Sequence, residues 1–139
     1  MQTIWVFGDQ LNRSIGAMAD ASPDRHRILL VESATLLGSR RWHRQRAHVV
    51  IASMRRFAAE LRGAGFEVDL RRAPSLVDGL NAHLDERSPS GVAVTEPNSF
   101  DLRRRVEALD VEIVRSNQFL CHYDDFAAWA GQRKQLKLE

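Results

Sequence analysis

Four polar side chains stand where short apolar runs stop: Asp9 and Gln10 in "VFGDQL", Glu32 in "VESA" and Glu96 in "VTEPNSF". A carboxylate accepts an N–H, and a carboxamide both donates and accepts. The set therefore suits a planar heterocycle with an imide edge, whose N–H needs an acceptor and whose carbonyls need donors. Gly8, lacking a side chain, would let the backbone come close to such a ring. Each residue also has a plainer explanation. Asp9 can form a turn or cap a helix, Glu96 precedes Pro97 and can close a turn while held extended, and Glu32 can pair with an arginine. No Walker loop and no GxGxxG is present, so a phosphate cradle is not indicated.

Arginine is concentrated in "SRRWHRQRAH", and Arg41, His48, Arg55 and Arg62 recur every seven residues. On a helix that spacing stacks them in one stripe opposite the apolar positions, which is the pattern of a solvated face. The functional alternative is phosphate contact, with Trp42 beside His43 adding a stacking surface. His43 and His48 are five apart, not the three or four of a helical metal pair, so no metal is expected. Cys121 stands alone in the sequence. It can form no internal disulfide and cannot by itself hold a zinc or an iron–sulfur cluster, so it reads as a free buried thiol. No GxSxG is present, and no catalytic residue is assigned.

The elements that must carry these residues alternate. Strand-like apolar runs at 3–7, 27–32, 67–71, 91–95 and 111–115 are separated by helical patterns at 41–62, 76–87, 102–109 and 124–130, with a hint of helix at 14–21. This predicts an α/β fold, a five-stranded parallel sheet in a Rossmann-like or flavodoxin-like three-layer sandwich. Ligands in such sheets bind beyond the carboxyl ends of the strands, where "GDQL", "VESA" and "VTEP" fall. The long connection from Gly8 to His26 is a candidate binding loop. With 139 residues, 44% of them hydrophobic, the chain is the size of one domain, and no Pro/Gly/Ser linker divides it. The net charge of +2 argues only weakly for nucleic acid. No secretory signal and no membrane-spanning run is visible, so a cytoplasmic setting is expected.

In order and spacing, "VFGDQL", "WHRQRAHVVIASMRRFAAEL", "VTEP" and "FLCHYDDFAAWAGQRKQLKLE" resemble the amino-terminal region of the photolyase-related proteins, the iron–sulfur bacterial cryptochromes and photolyases. The resemblance covers nearly the whole chain. It implies an antenna-type domain over 1–130, with 131–139 beginning the connection to a helical flavin-binding domain. That further part would hold FAD, an iron–sulfur cluster and most of the DNA-binding surface, so the domain partner would be the flavin domain of the same protein and the chain alone would be inactive. In this domain the family holds 6,7-dimethyl-8-ribityllumazine. The implied contacts are Gly8, Asp9, Gln10, Leu11, Glu32, Val50 and Glu96. Leu36 stands where the family commonly has an acidic residue, a departure expected to weaken the grip. The implied function is light-dependent DNA repair or blue-light sensing in the full-length protein. The alternatives are a non-catalytic scaffold domain with an empty cleft and a small independent nucleotide-binding protein.

Overall fold

The computed structural model describes residues 1–38, 43–131 and 133. Its five strands, β1 (Gln2–Val6), β2 (His26–Ser33), β3 (Glu67–Ala73), β4 (Val92–Thr95) and β5 (Glu112–Val114), form one all-parallel sheet in the order β3-β2-β1-β4-β5. The helices are α1 (Ala34–Gly38), α2 (Arg44–Gly63), α3 (Leu76–Arg87), α4 (Phe100–Glu107) and α5 (Tyr123–Gly131). The chain builds outward from β1 to β3, then returns to lay β4 on the other side of β1. The order is that of the Rossmann half-sheet, and the strand ends of β1 and β4 flank the point of reversal.

Continuous apolar runs in β1 and β2 put apolar residues on both faces, as a sheet covered on both sides requires. Ile4, Val6, Ile28 and Leu30 pack with Met54, Phe57, Ala58 and Leu61 of α2. Trp5, Phe7, Leu29 and Val31 pack with Leu80 of α3 and Val106 of α4. These two cores make the three-layer sandwich.

Helix α2 begins after His43, whose ring nitrogen Nδ1 accepts from the Gln45 N–H. The expected earlier start, with Arg41 and Trp42, lies outside the described residues. So does the expected connecting segment 131–139, except for Gly131 and Arg133. At its other end α2 closes one residue beyond the apolar pattern at 41–62. Gly63 is the last helical residue, and the reversal falls at Gly65, which has φ +90°. The Phe66 N–H then bonds back to the Leu61 carbonyl, and Phe66 is buried.

The long β1–β2 connection carries only a 3₁₀ turn, Gly16–Met18. Gly16 has φ +48°, and a Cβ there would stand 2.3 Å from Thr95 Cγ2, so only glycine lets the loop lie on the end of β4. The Ala17 N–H donates to Thr95 Oγ1 and the Gly16 N–H to Asn117 Oδ1, which pins the loop there.

Candidate functional site

Glu32 lies near the end of β2 on the α2 side of the sheet, in register with Arg72 on β3. Its carboxylate is buried and accepts three hydrogen bonds, from Arg55 Nε at 2.7 Å, Arg55 Nη2 at 3.0 Å and Arg72 Nε at 3.0 Å. The Arg55 hydrogen bond is the main reason its carboxyl sits below the usual range; burial pushes the other way, and Arg72 adds to the lowering. Beside it opens a cleft of about 600 Å³, walled by Ala34, Leu37, Ile51, Ala73 and Pro74 together with the two arginines. A carboxylate offers about four acceptor positions, so about one is left.

The β1 end is packed differently. A Cβ at Gly8 would lie 3.3 Å from both Val50 Cγ1 and Met54 Sδ, so α2 rests directly on this glycine. Its φ is not positive, and its value lies in close approach. Asp9 is exposed and accepts from Asn98 Nδ2 at 3.3 Å. Gln10 is only 2% exposed, and its Nε2 donates to the Glu96 carbonyl at 2.8 Å. Its Oε1 is buried without a hydrogen bond. Leu11 packs against the α2-side core.

Glu96 follows β4 with the parity of Val92 and Val94, which face α3 and α4. His122 Nε2 contacts its carboxylate at 2.8 Å, the Ser116 N–H lies at 3.5 Å, Arg103 Nη1 at 3.8 Å, and Tyr123 donates its hydroxyl. Burial raises the Glu96 carboxyl, but the hydrogen bonds from Tyr123 and His122 outweigh it and the net displacement is downward. Tyr123 is correspondingly pushed up to about 12, chiefly by its hydrogen bond to Glu96. Glu96, Asn98, Phe100, Phe119 and Phe126 border a second cleft of about 470 Å³.

The expected constellation therefore divides in two. Asp9 and Gln10 are tied to the β4 end with Glu96 and Asn98, whereas Glu32 belongs to the α2 side with two arginines. Val50 meets Gly8, and Leu36, 48% exposed, stands outside the Glu32 cleft, whose wall is its neighbour Leu37. The arginine stripe is also more than a solvated face. Arg55 clamps Glu32, and Arg62 Nη2 donates to the Val68 carbonyl at 3.0 Å, while His48 is exposed. Cys121 is exposed, not buried. The partners Arg72, His122, Tyr123 and Arg103 were not singled out from sequence. Arg72 could have been found, since it shares the strand parity of Val68 and Leu70. The pairing of "HY" with a residue 26 positions earlier carries no local signal.

Among the described residues, no group of three His, Cys, Asp or Glu side chains is arranged to hold a metal, and no helix is long and apolar enough to cross a membrane. A "(6-4) photolyase" of Agrobacterium fabrum (strain C58) is 30% identical over 153 aligned positions, which take in 99% of this chain and 30% of that protein. The chain thus spans less than a third of the relative's length. Residues 4–139 match the family described as deoxyribodipyrimidine photo-lyase-related protein, and the chain belongs to that family.

Proposed function

We propose that this chain is the α/β antenna domain of a light-dependent DNA-repair or blue-light-sensing flavoprotein, and that its chromophore, a ribityllumazine, lies in the cleft beside Glu32. The observation that supports this best is the cleft itself. A volume of about 600 Å³ suits a small ring system, and the wall is apolar apart from one carboxylate and two guanidinium groups. The residues fit the group. Glu32 retains about one acceptor position for a ring N–H, and Arg72, largely exposed, has further N–H donors for carbonyl or ribityl oxygens. Ile51 and Leu37 would shield the ring from water. The chromophore would supply blue-light absorption, passed through space to a flavin elsewhere in the protein. In this reading FAD, an iron–sulfur cluster and most DNA contacts belong to the longer protein, which acts in the cytoplasm, and no residue of this chain is catalytic.

A second reading, the scaffold with an empty cleft, is favoured by the engagement of Glu32 with Arg55 and Arg72 and by the close cover of Gly8. Absorbance separates the two. Protein purified after supplementation with 6,7-dimethyl-8-ribityllumazine is expected to keep a near-ultraviolet to violet band, and Glu32→Gln to lose most of it. A parent protein that keeps no band supports the scaffold.

A further inference from the structure

The cleft beside Glu32 carries more positive charge than its own carboxylate cancels. Among the described residues that line it, Glu32 is the acid and Arg55 and Arg72 are the bases. Arginine stays protonated, so the lining keeps a net positive charge. That charge is turned towards solvent: the Glu32 side chain is 6% exposed, those of Arg55 and Arg72 48% and 76%. Arg55 commits Nε and Nη2 to Glu32, and Arg72 commits Nε. Among the described residues, Arg55 Nη1 and both Nη groups of Arg72 meet no acceptor. Glu32 Oε2 accepts from both arginines, so one buried carboxylate holds two guanidinium forks, one from α2 and one from β3, beside each other. Side chains already held in this way lose less freedom when an anion arrives.

A ribityllumazine in its ordinary form is uncharged. It can accept from these donors, but it leaves the net charge of the cleft unanswered. We propose that Arg55 and Arg72 form a seat for a phosphate monoester carried at the end of the ligand's ribityl chain, so that the cleft prefers a phosphorylated, nucleotide-like heterocycle to the free polyol. The proposal rests on the reading of this cleft as a chromophore site. Paired guanidinium groups match the oxygens of a phosphate, and the bonds they make to it are charge-assisted. No glycine loop is required, because side chains rather than backbone N–H groups supply the donors. Arg55 belongs to the arginine stripe of α2, for which phosphate contact is the functional alternative to a solvated face, and here one member of that stripe faces a cleft.

The test is isothermal titration of the ligand-free full-length gene product with 6,7-dimethyl-8-ribityllumazine and with its 5′-phosphate, two probes that differ only in the proposed group. The phosphate is expected to bind at least about tenfold more tightly, the scale of a charge-assisted hydrogen bond. Arg72→Gln removes the excess charge while Glu32 keeps Arg55, and is expected to cut the preference to about twofold or less. Equal binding of the two probes by the parent overturns the proposal, as does a preference that survives Arg72→Gln or a variant that loses both probes alike. Lumazine that binds more tightly once inorganic phosphate is added, with no advantage for the 5′-phosphate, assigns the seat to a free ion and also overturns it. The two readings fail separately. A parent that binds the 5′-phosphate but not lumazine keeps the phosphate seat and refutes lumazine as the chromophore, whereas equal binding keeps the chromophore and refutes the seat. Binding of neither probe refutes both.

Discussion

Gln10 shows how much of a side chain's engagement is hidden when the backbone is unseen. A glutamine at a strand end suggests an amide reading a ligand, yet its Nε2 is spent on the Glu96 carbonyl and the side chain is buried. Gln10→Ala is therefore expected to destabilise by about 1–3 kcal/mol, the scale of a lost buried hydrogen bond, because the Glu96 carbonyl is left without this donor. Chemical denaturation checks it, and a variant with unchanged midpoint would show the bond to be worthless. The unpartnered Oε1 is a reason for the lower end of that range. Glu32 was legible as a strand-end carboxylate, and its pairing with an arginine was one of the plain alternatives. That two arginines from different elements would meet it could not be read without the register of β2 on β3. Asp9 and Glu96 suffer the same limit, since strand parity says which side a residue takes but not which helix waits there.

At the scale of elements, the helix patterned at 76–87 coincides with α3, and its capping explains why. Ser75 accepts the Asp78 N–H at 3.1 Å, so the start is written in adjacent residues. Helix α2 runs one residue past its pattern at 41–62, to Gly63, and the reversal that follows uses Gly65, whose φ is positive. Helix α1 was not read at all, since five residues carry too little periodicity. Gly79 marks a contact that no pattern reveals. It is buried in α3, and a Cβ there would stand 2.5 Å from Val31 Cγ1, so the helix approaches β2 as closely as it does only because that position lacks a side chain. Gly79→Ala raises intrinsic helix propensity yet is expected to lower stability by about 1–3 kcal/mol, because overpacking against the strand outweighs the gain. Thermal melting of Gly79→Ala beside Gly63→Ala, whose Cβ meets nothing within 4 Å, separates the two effects. A rise in melting temperature for both would mean that α3 can move off the sheet freely.

For the whole molecule, the alternation of strand and helix made the parallel sheet legible. The division of its far edge into two separate clefts was not, because it depends on which face each strand's last residue takes. Electrostatics ties both faces together. Glu32 on the α2 side, held by Arg55 and Arg72, and Glu96 on the other side, hydrogen-bonded by Tyr123 and His122 against the cost of burial, both titrate below their ordinary value of 4.5. Asp69 titrates below 3.8, burial again opposing and the bonds from Arg71 and His83 prevailing. Depressed carboxyl values in the folded state mean that the unfolded chain takes up protons first on acidification. Each group therefore contributes stability that is whole above its ordinary value and is lost as pH falls through the depressed one. Tyr123 works in the opposite sense, its contribution present below 10 and lost as pH climbs towards about 12. The melting temperature is thus expected to be nearly level from neutral pH down to about 5 and to fall steeply below about 4.5. Glu96→Gln should melt lower than the parent at neutral pH and show a shallower acid limb, since one of the protonating groups is gone while Tyr123 and His122 lose their charged acceptor. If the parent keeps its neutral melting temperature down to about pH 3, the ion pairs on both faces are too solvated to matter, and packing alone holds α5 and β3 in place.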